Sequence, residues 1–302
     1  MGQRRPHRSA STGTALSDEE KTIANCRAQI ADCRLRIGKS GLRIADAIVS
    51  VVVAPRCAAC DAPLDQPTRG PVCPICWASI LPLTPPLCDR CGDPLPTWRA
   101  ISVPLARCPR CRRAPHSFDR ARAIGAYDGA LRAIVHAMKY EGRRSLARPL
   151  ADLMRVRGAD ILDAASCAIP VPLHSSRLRE RGFNQASDLA RRLGLPSITA
   201  LKRIRATATQ TALPAAQRHR NVRDAFALTR HGRAVDGAIV VLVDDVSTTG
   251  ATLEACARVL KGAGAAEVRA LTAARVVGGS TTGHSRRGPT DARVTVVSQP
   301  SM

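Results

Sequence analysis

The segment from Ala238 to Leu260 constrains the fold of this chain more than any other stretch. An apolar, largely β-branched run, Ala238-Ile-Val-Val-Leu-Val243, ends in Asp244 and Asp245. A short loop, Ser247-Thr248-Thr249-Gly250-Ala251-Thr252, follows, and Leu253 to Leu260 reads as a helix. Strand, loop and helix N-terminus therefore come in one continuous piece. Backbone amides and the helix dipole at such a terminus favour an anion such as phosphate. Thr248, Thr249 and Thr252 add hydroxyl donors, and Gly250 lets the backbone approach closely. The two carboxylates before the loop are acceptors suited to sugar hydroxyls, so a ribose 5-phosphate fits the combination. The plainer alternative is a buried parallel strand whose Asp pair caps the next helix. The sequence contains no Gly-x-x-x-x-Gly-Lys-Ser/Thr and no Gly-x-Gly-x-x-Gly after a strand, so the nucleoside triphosphate loop and the dinucleotide fingerprint are both missing.

Cysteine spacing gives the second constraint. Cys57-x-x-Cys60 is followed after twelve residues by Cys73-x-x-Cys76, and Cys88-x-x-Cys91 after sixteen by Cys108-x-x-Cys111. Each pair can form a knuckle with two thiolates aimed at one ion, and two knuckles complete a tetrahedral four-thiolate zinc site. Consecutive knuckles and interleaved ones satisfy the spacing equally well. Pro55, Pro63, Pro71, Pro74 and Gly92 break the segment into turns and short strands. It is too short and too poor in large apolar residues to fold by burial alone, and metal binding would supply the missing free energy. A disulfide framework is the competing reading. It is disfavoured because no signal peptide precedes the segment and phosphate chemistry of this kind is cytosolic, so we expect a cytoplasmic protein. Cys26 and Cys33 lack knuckle spacing, and Cys167 and Cys256 are expected to be small core residues.

The rest of the 302-residue chain is organised around these two segments. Residues 1–45 are polar and basic, with only a loose seven-residue recurrence of Ile23, Ile30 and Ile37, and are expected to be a disordered tail. Ile44 to Val53 reads as a short helix leading into the cysteine segment, residues 46–115. No apolar run reaches membrane-spanning length. From 118 to 276, strand patterns (118–127, 168–171, 239–243, 268–274) alternate with helical ones (130–139, 146–155, Asn184 to about 193, 213–224). That alternation implies an α/β fold, a parallel sheet covered by helices on both faces. Residues 277–302 are expected to be a flexible tail.

Asp244-Asp245-x-x-Thr248-Thr249-Gly250-x-Thr252 resembles the signature of type I phosphoribosyltransferases, which bind phosphoribosyl pyrophosphate. The resemblance implies that Asp244 and Asp245 hold the ribose hydroxyls, and that Thr248, Thr249, Gly250 and Thr252 wrap the 5-phosphate. A double zinc ribbon followed by such a domain resembles the ComF/GntX family, over roughly Ile44 to Val276. Three further segments carry the likeness. Tyr127 to Tyr140 resembles the family's entry segment, with Lys139 at its basic position. Pro170-Val-Pro172-Leu-His174 with Arg177, Arg181, Asn184 and Gln185 resembles its pyrophosphate loop. Arg205 to Phe226, with Thr209, Gln210, Arg218, Arg220 and Asn221, resembles its mobile segment over the site.

The chemistry implied is phosphoribosyl transfer with Mg2+ as the companion of the pyrophosphate, and two structural Zn2+ ions in the ribbons. Asp244 and Asp245 are the candidate catalytic pair. Arg177, Arg181 and Lys139 could neutralise pyrophosphate, the guanidinium groups through forked hydrogen bonds; the alternative for each is a solvated basic surface. His136 is expected to be a packing or surface residue. The family association is with DNA uptake in competence and use of external DNA. The formal charge of +22 also suits an anionic partner. Arginine outnumbers lysine 41 to 5, which points partly to codon bias, and each four-thiolate zinc site would add about −2. Aromatics are only 2% of the chain, so stacking platforms for single-stranded nucleic acid are scarce. A second function class therefore stands beside the enzyme: a non-catalytic adaptor that binds single-stranded DNA or a helicase-like DNA-uptake protein and keeps the phosphoribosyl site as a sensor.

Overall fold

The computed structural model describes residues 54–96, 107–205 and 224–277. The expected helices at 44–53 and 213–224, most of the 205–226 segment and both tails lie outside the described residues.

A four-stranded, all-parallel sheet organises the larger part: β1 (Arg120–Ala123), β2 (Cys167–Pro170), β5 (Ile239–Ser247) and β6 (Glu267–Arg275), in the order β1-β6-β5-β2. β5 runs four residues past the apolar pattern, through both aspartates to Ser247. Its pairing with β6 continues to Ser247↔Arg275, so the acidic pair sits on a paired strand and not in a free loop. A two-stranded antiparallel unit, β3 (Leu201–Arg203) and β4 (Phe226–Leu228), was not anticipated. Its register pairs Arg203 with Phe226, which brings the two ends of the 205–226 segment together.

Two apolar layers cover the sheet. On one face, Val241 and Val243 pack with helices α3 (Gly129–Tyr140), α4 (Ala147–Arg157), α5 (Ala159–Leu162) and α7 (Gln185–Ala190). On the other, Val240 and Leu242 pack with α8 (Ala251–Gly262). The alternation follows from the two-residue period of a strand. α3 shows why these helices form where they do. Asp128 caps it by accepting from the Gly129 amide at 2.8 Å, and Leu131, Ile134, Val135 and Met138 fall on one face and are buried. Each such side chain is worth about 1.5–3 kcal/mol relative to exposure.

Among its described residues the cysteine-rich part carries two short α-helices, α1 (Pro74–Ala78) and α2 (Pro109–Arg113), and two isolated bridges, Arg56↔Pro63 and Leu87↔Pro94. It lies against the edge strand β1. The Ala121 amide donates to the Arg90 carbonyl at 2.7 Å, and Arg122 donates to the Asp89 carbonyl at 3.1 Å. A covered edge cannot pair with another chain. The approach is close: a Cβ on Gly92, whose φ is +71°, would stand 2.6 Å from the Ala121 carbonyl oxygen.

Between the two parts lies a short polar seam. Glu254, in the first turn of α8, accepts from the Ser117 amide at 2.8 Å and the Ser117 hydroxyl at 2.7 Å. Its other neighbour is His116 Nδ1 at 3.2 Å, and the His116 ring stacks on Phe118.

Candidate functional site

The C-terminal edge of the sheet carries the candidate site. α7, which follows β2, covers one face, and α8, which follows β5, covers the other. The crevice between adjacent parallel strands whose helices leave to opposite faces is where open α/β sheets bind ligands. Asp244, Asp245 and the Thr248–Gly250 loop stand at that crevice. Gly250 has φ +76°, a left-handed conformation that turns the chain into α8 without side-chain strain. Thr249 Oγ1 accepts from the Ala251 amide at 3.4 Å.

Adjacent aspartates on one strand face opposite sides, and their surroundings differ. Lys139, in the last turn of α3, brings Nζ to 2.7 Å from Asp245 Oδ1, with both side chains largely buried. Burial opposes the Lys139 charge, but Asp245 more than compensates and holds the ammonium above its usual range. Asp244 has the opposite balance. Burial raises its carboxyl, repulsion from Asp245 adds to that, and Lys139 only partly opposes, so it is pushed up to about 7. Its Oδ1 accepts from the Asp245 amide at 2.9 Å.

The loop after β2 flanks the pair. The Val171 amide donates to the Val243 carbonyl at 2.9 Å, so Pro170 to His174 leaves the sheet beside Asp244. His174 caps α6 (Ser175–Arg181), accepting from the Ser176 amide at 3.3 Å. Asn184 Nδ2 donates to the Val171 carbonyl at 3.0 Å while Asn184 Oδ1 caps α7, which closes the loop at its neck. Arg177 is half-buried on α6. Arg181 lies over the Tyr140 ring at 5.0 Å and reaches Gln185 Oε1 at 3.4 Å, next to the end of α3 that carries Lys139. His136 is exposed, beside Glu141 and Tyr140.

Arg203 was missed in the sequence. It is one of 41 arginines, and nothing in the local pattern marks it. Its guanidinium lies 5.4 Å over Phe226. Burial, then Arg177, lowers it from its ordinary value, with Cys256 and Asp244 opposing. Arg177 and Arg203 thus lie close enough to repel, with Asp244 near enough to Arg203 to oppose the effect. Arg275, a buried charge at the end of β6, was missed for the same reason.

The cysteines resolve the open question of pairing. Cys57, Cys60, Cys73 and Cys76 form one cluster, and Cys88, Cys91, Cys108 and Cys111 the other, with all sulfurs of a cluster within 4.8 Å of one another. Consecutive knuckles pair; the sites do not interleave. Cys60 and Cys73 sulfurs are 3.9 Å apart, and Cys91 and Cys108 sulfurs 3.7 Å. Four sulfurs at the Zn–S bond length around one ion would stand about 3.8 Å apart, whereas a disulfide needs about 2 Å. All eight are free thiols. Backbone amides of Ala59 and Cys73 point at Cys57 Sγ, and the Cys108 amide points at Cys88 Sγ. Burial raises the Cys57 thiol, but these amide bonds, with that of Cys60, outweigh it and bring it down to about 6. The donor set fits two structural zinc ions. Cys167 and Cys256 are buried core residues.

Comparison with known proteins finds relatives of both halves. Residues 48–112 match the family described as a double zinc ribbon domain, and residues 178–301 the phosphoribosyl transferase domain. The chain is 34% identical over 223 residues to DNA utilization protein YhgH of Salmonella typhimurium, covering 70% of this chain and 93% of the relative. It is 31% identical to competence protein F of Haemophilus influenzae, over 73% of this chain and 96% of the relative. The chain belongs to the ComF/GntX family. A more distant member, competence protein ComFC of Bacillus subtilis, is 27% identical over 68% of this chain and 84% of that protein. Among the described residues no helix is long and apolar enough to cross a membrane.

Proposed function

We propose that this ComF-type chain binds phosphoribosyl pyrophosphate together with Mg2+ and transfers its phosphoribosyl group to an acceptor base. The observation that carries the reading is the Asp244–Asp245 pair joined to the Thr248–Gly250 loop at the crevice between β2 and β5. In this reading the carboxylates accept from the ribose hydroxyls. Thr248, Thr249, Gly250, Thr252 and the start of α8 hold the 5-phosphate. Arg177, Arg181 and Lys139 face the pyrophosphate. Bound Mg2+ would supply further charge neutralisation of that group. As the bond from ribose C1 to pyrophosphate breaks, positive charge grows on the sugar ring, and the aspartates below it stabilise that charge. In this reading the Lys139 ammonium, 2.7 Å from Asp245, serves both the carboxylate and a departing anion.

The named relatives connect the reading to DNA utilisation and competence. The basic chain, its zinc ribbons and a cytoplasmic location suit an adaptor for single-stranded DNA or a helicase-like uptake protein, with the phosphoribosyl site as sensor. Calorimetric titration with phosphoribosyl pyrophosphate and Mg2+, followed by a nucleobase panel read by pyrophosphate release, separates the two. Binding with turnover supports the transferase. Binding without turnover on any base favours the adaptor, and a folded, zinc-loaded chain that binds nothing overturns the phosphoribosyl site altogether.

A further inference from the structure

Arg275 is only 3% exposed, although a buried guanidinium is tolerated only when it is paired. Its backbone sits in the sheet: the Tyr127 amide donates to its carbonyl at 2.7 Å, and its own amide donates to the Gly125 carbonyl at 3.0 Å. Its side chain turns to two partners. Nε donates to the carboxylate of Asp93, 182 residues away in the chain. Nη1 approaches Ser247 Oγ at 3.4 Å. Ser247 is the last residue of β5, directly before the Thr248–Gly250 loop, and its carbonyl accepts from the Val276 amide at 2.9 Å.

Asp93 abuts the second cysteine cluster. Its Oδ2 lies 3.3 Å from Cys91 Sγ and accepts from Arg110 Nη2, also at 3.3 Å. Arg110 stands on α2 between Cys108 and Cys111, so Asp93 touches both knuckles of that site. The Asp93 carbonyl accepts from the Cys88 amide at 2.7 Å, which closes the first knuckle on itself. Among the described residues the other cluster makes no hydrogen bond to the Arg275 side chain, whose partners are Asp93 and Ser247. Its side of the ribbon meets the sheet half through backbone carbonyls: the Ala126 amide, beside the Arg275 backbone, donates to the Leu81 carbonyl at 3.2 Å, and Arg143 Nη1 donates to the Arg56 carbonyl at 3.3 Å.

From this asymmetry we infer that the second zinc site and the phosphoribosyl loop are energetically coupled through Asp93, Arg275 and Ser247. Metal in the Cys88–Cys111 cluster fixes the knuckle that carries Asp93. Asp93 keeps Arg275 buried, and Arg275 clasps the strand end from which the loop departs. Loss of that metal frees Asp93, leaves the guanidinium uncompensated and draws it toward water, releasing Ser247. Asp93 and Arg275 are positioning residues in this scheme, and the Cys57–Cys76 site lies outside it. Because coupling free energies are reciprocal, a ligand on the loop must tighten metal at the second site by the same factor. The ligand arm rests on the phosphoribosyl reading above; the coupling of metal to loop does not.

The test uses the full chain loaded with two zinc ions. Hydrogen exchange of the amides from Ser247 to Leu253 is compared in Cys57→Ser, Cys108→Ser, Asp93→Asn and Arg275→Met. Exchange should quicken by about tenfold in the last three and stay unchanged in Cys57→Ser, a size typical of coupling between sites. Arg275→Met retains both clusters, so the inference remains testable if Cys108→Ser fails to fold. The double variant Asp93→Asn/Arg275→Met should be no worse than either single one. Phosphoribosyl pyrophosphate with Mg2+ should slow chelator-driven zinc release from the second site alone, and Arg275→Met should abolish that protection. A merely structural Arg275 would not produce ligand-dependent protection confined to one metal. Equal effects from both zinc sites, or unchanged loop exchange in Asp93→Asn and Arg275→Met, overturn the inference. If the wild-type chain binds no phosphoribosyl pyrophosphate, the proposed function fails, and the exchange arm still decides the coupling.

Discussion

The ribbon half and the sheet half of this molecule use different physics to hold themselves together. In the ribbon, eight thiols converge in two clusters, the helices are five residues long, and Ile75 and Leu81 are left exposed. In the sheet half, Val240 to Val243 and the helices around them bury apolar side chains on both faces, and buried charge is concentrated at one edge. The contrast teaches where tolerance lies. The ribbon depends on a few bonds of high individual worth. The sheet depends on many weak contacts, and so has room at its C-terminal edge for the charges of Asp244, Asp245 and Lys139.

Removing the metal should break the contrast most severely. Structural zinc in small ribbons is worth roughly 10–16 kcal/mol of apparent folding free energy. Chelation should unfold the ribbon while circular dichroism of the sheet half largely persists. Elemental analysis should find about two zinc atoms per chain, and Cys57→Ser and Cys108→Ser about one each, because each cluster holds its own metal. A folded, metal-free preparation with disulfides would show that the two halves are not held differently after all.

A core truncation tests the other side. Ile169, fully buried on β2, should cost roughly 2–5 kcal/mol when changed to alanine. Denaturant unfolding should register that loss with zinc content unchanged. If Ile169→Ala also sheds zinc, the halves fold as a single unit.

Much of this division was legible in the sequence, for identifiable reasons. Knuckle spacing is a local property, so all eight ligands could be named, whereas which knuckles share a metal depends on how the chain folds back and had to come from the structure. β5 was visible because it is buried on both faces and lacks polar alternation, but its end was misplaced. In the sequence the strand pattern ends at Val243, just before the acidic pair, while pairing with β6 carries the strand on to Ser247. β3 and β4 are three residues each, too short to show a period. At the candidate site, residues inside a contiguous motif could be proposed from the sequence. Arg203 and Arg275 could not, because their roles come from partners far away in sequence, such as Asp93 for Arg275.

A smaller effect should separate binding from stability at the charged edge. Asp245→Asn removes a carboxylate proposed to accept from ribose hydroxyls, and charge-assisted bonds of that kind are worth about 1.5–3 kcal/mol. Affinity for phosphoribosyl pyrophosphate should fall roughly tenfold to a hundredfold, with the fold intact by circular dichroism. Unchanged affinity in a folded variant would remove the ribose assignment.

The smallest expected effect is also the most specific to the neighbouring carboxylate. Asp244 is pushed up to about 7 by burial and by Asp245, far above an ordinary aspartate. The folded chain therefore keeps a proton that the unfolded chain has already released. Stability contributed at this position must decline as pH rises from about 4 to about 7 and then level off. Ligand binding runs the other way. If Asp244 accepts from a ribose hydroxyl, it must first give up its proton, so affinity should rise by roughly tenfold between pH 6 and pH 8. Asp244→Asn should flatten that profile and remove the decline in stability, while the core and zinc content stay as they are. A wild-type affinity that is level from pH 6 to 8 would mean that Asp244 is already ionised in the free protein, and that the edge is less strained by charge than its burial implies.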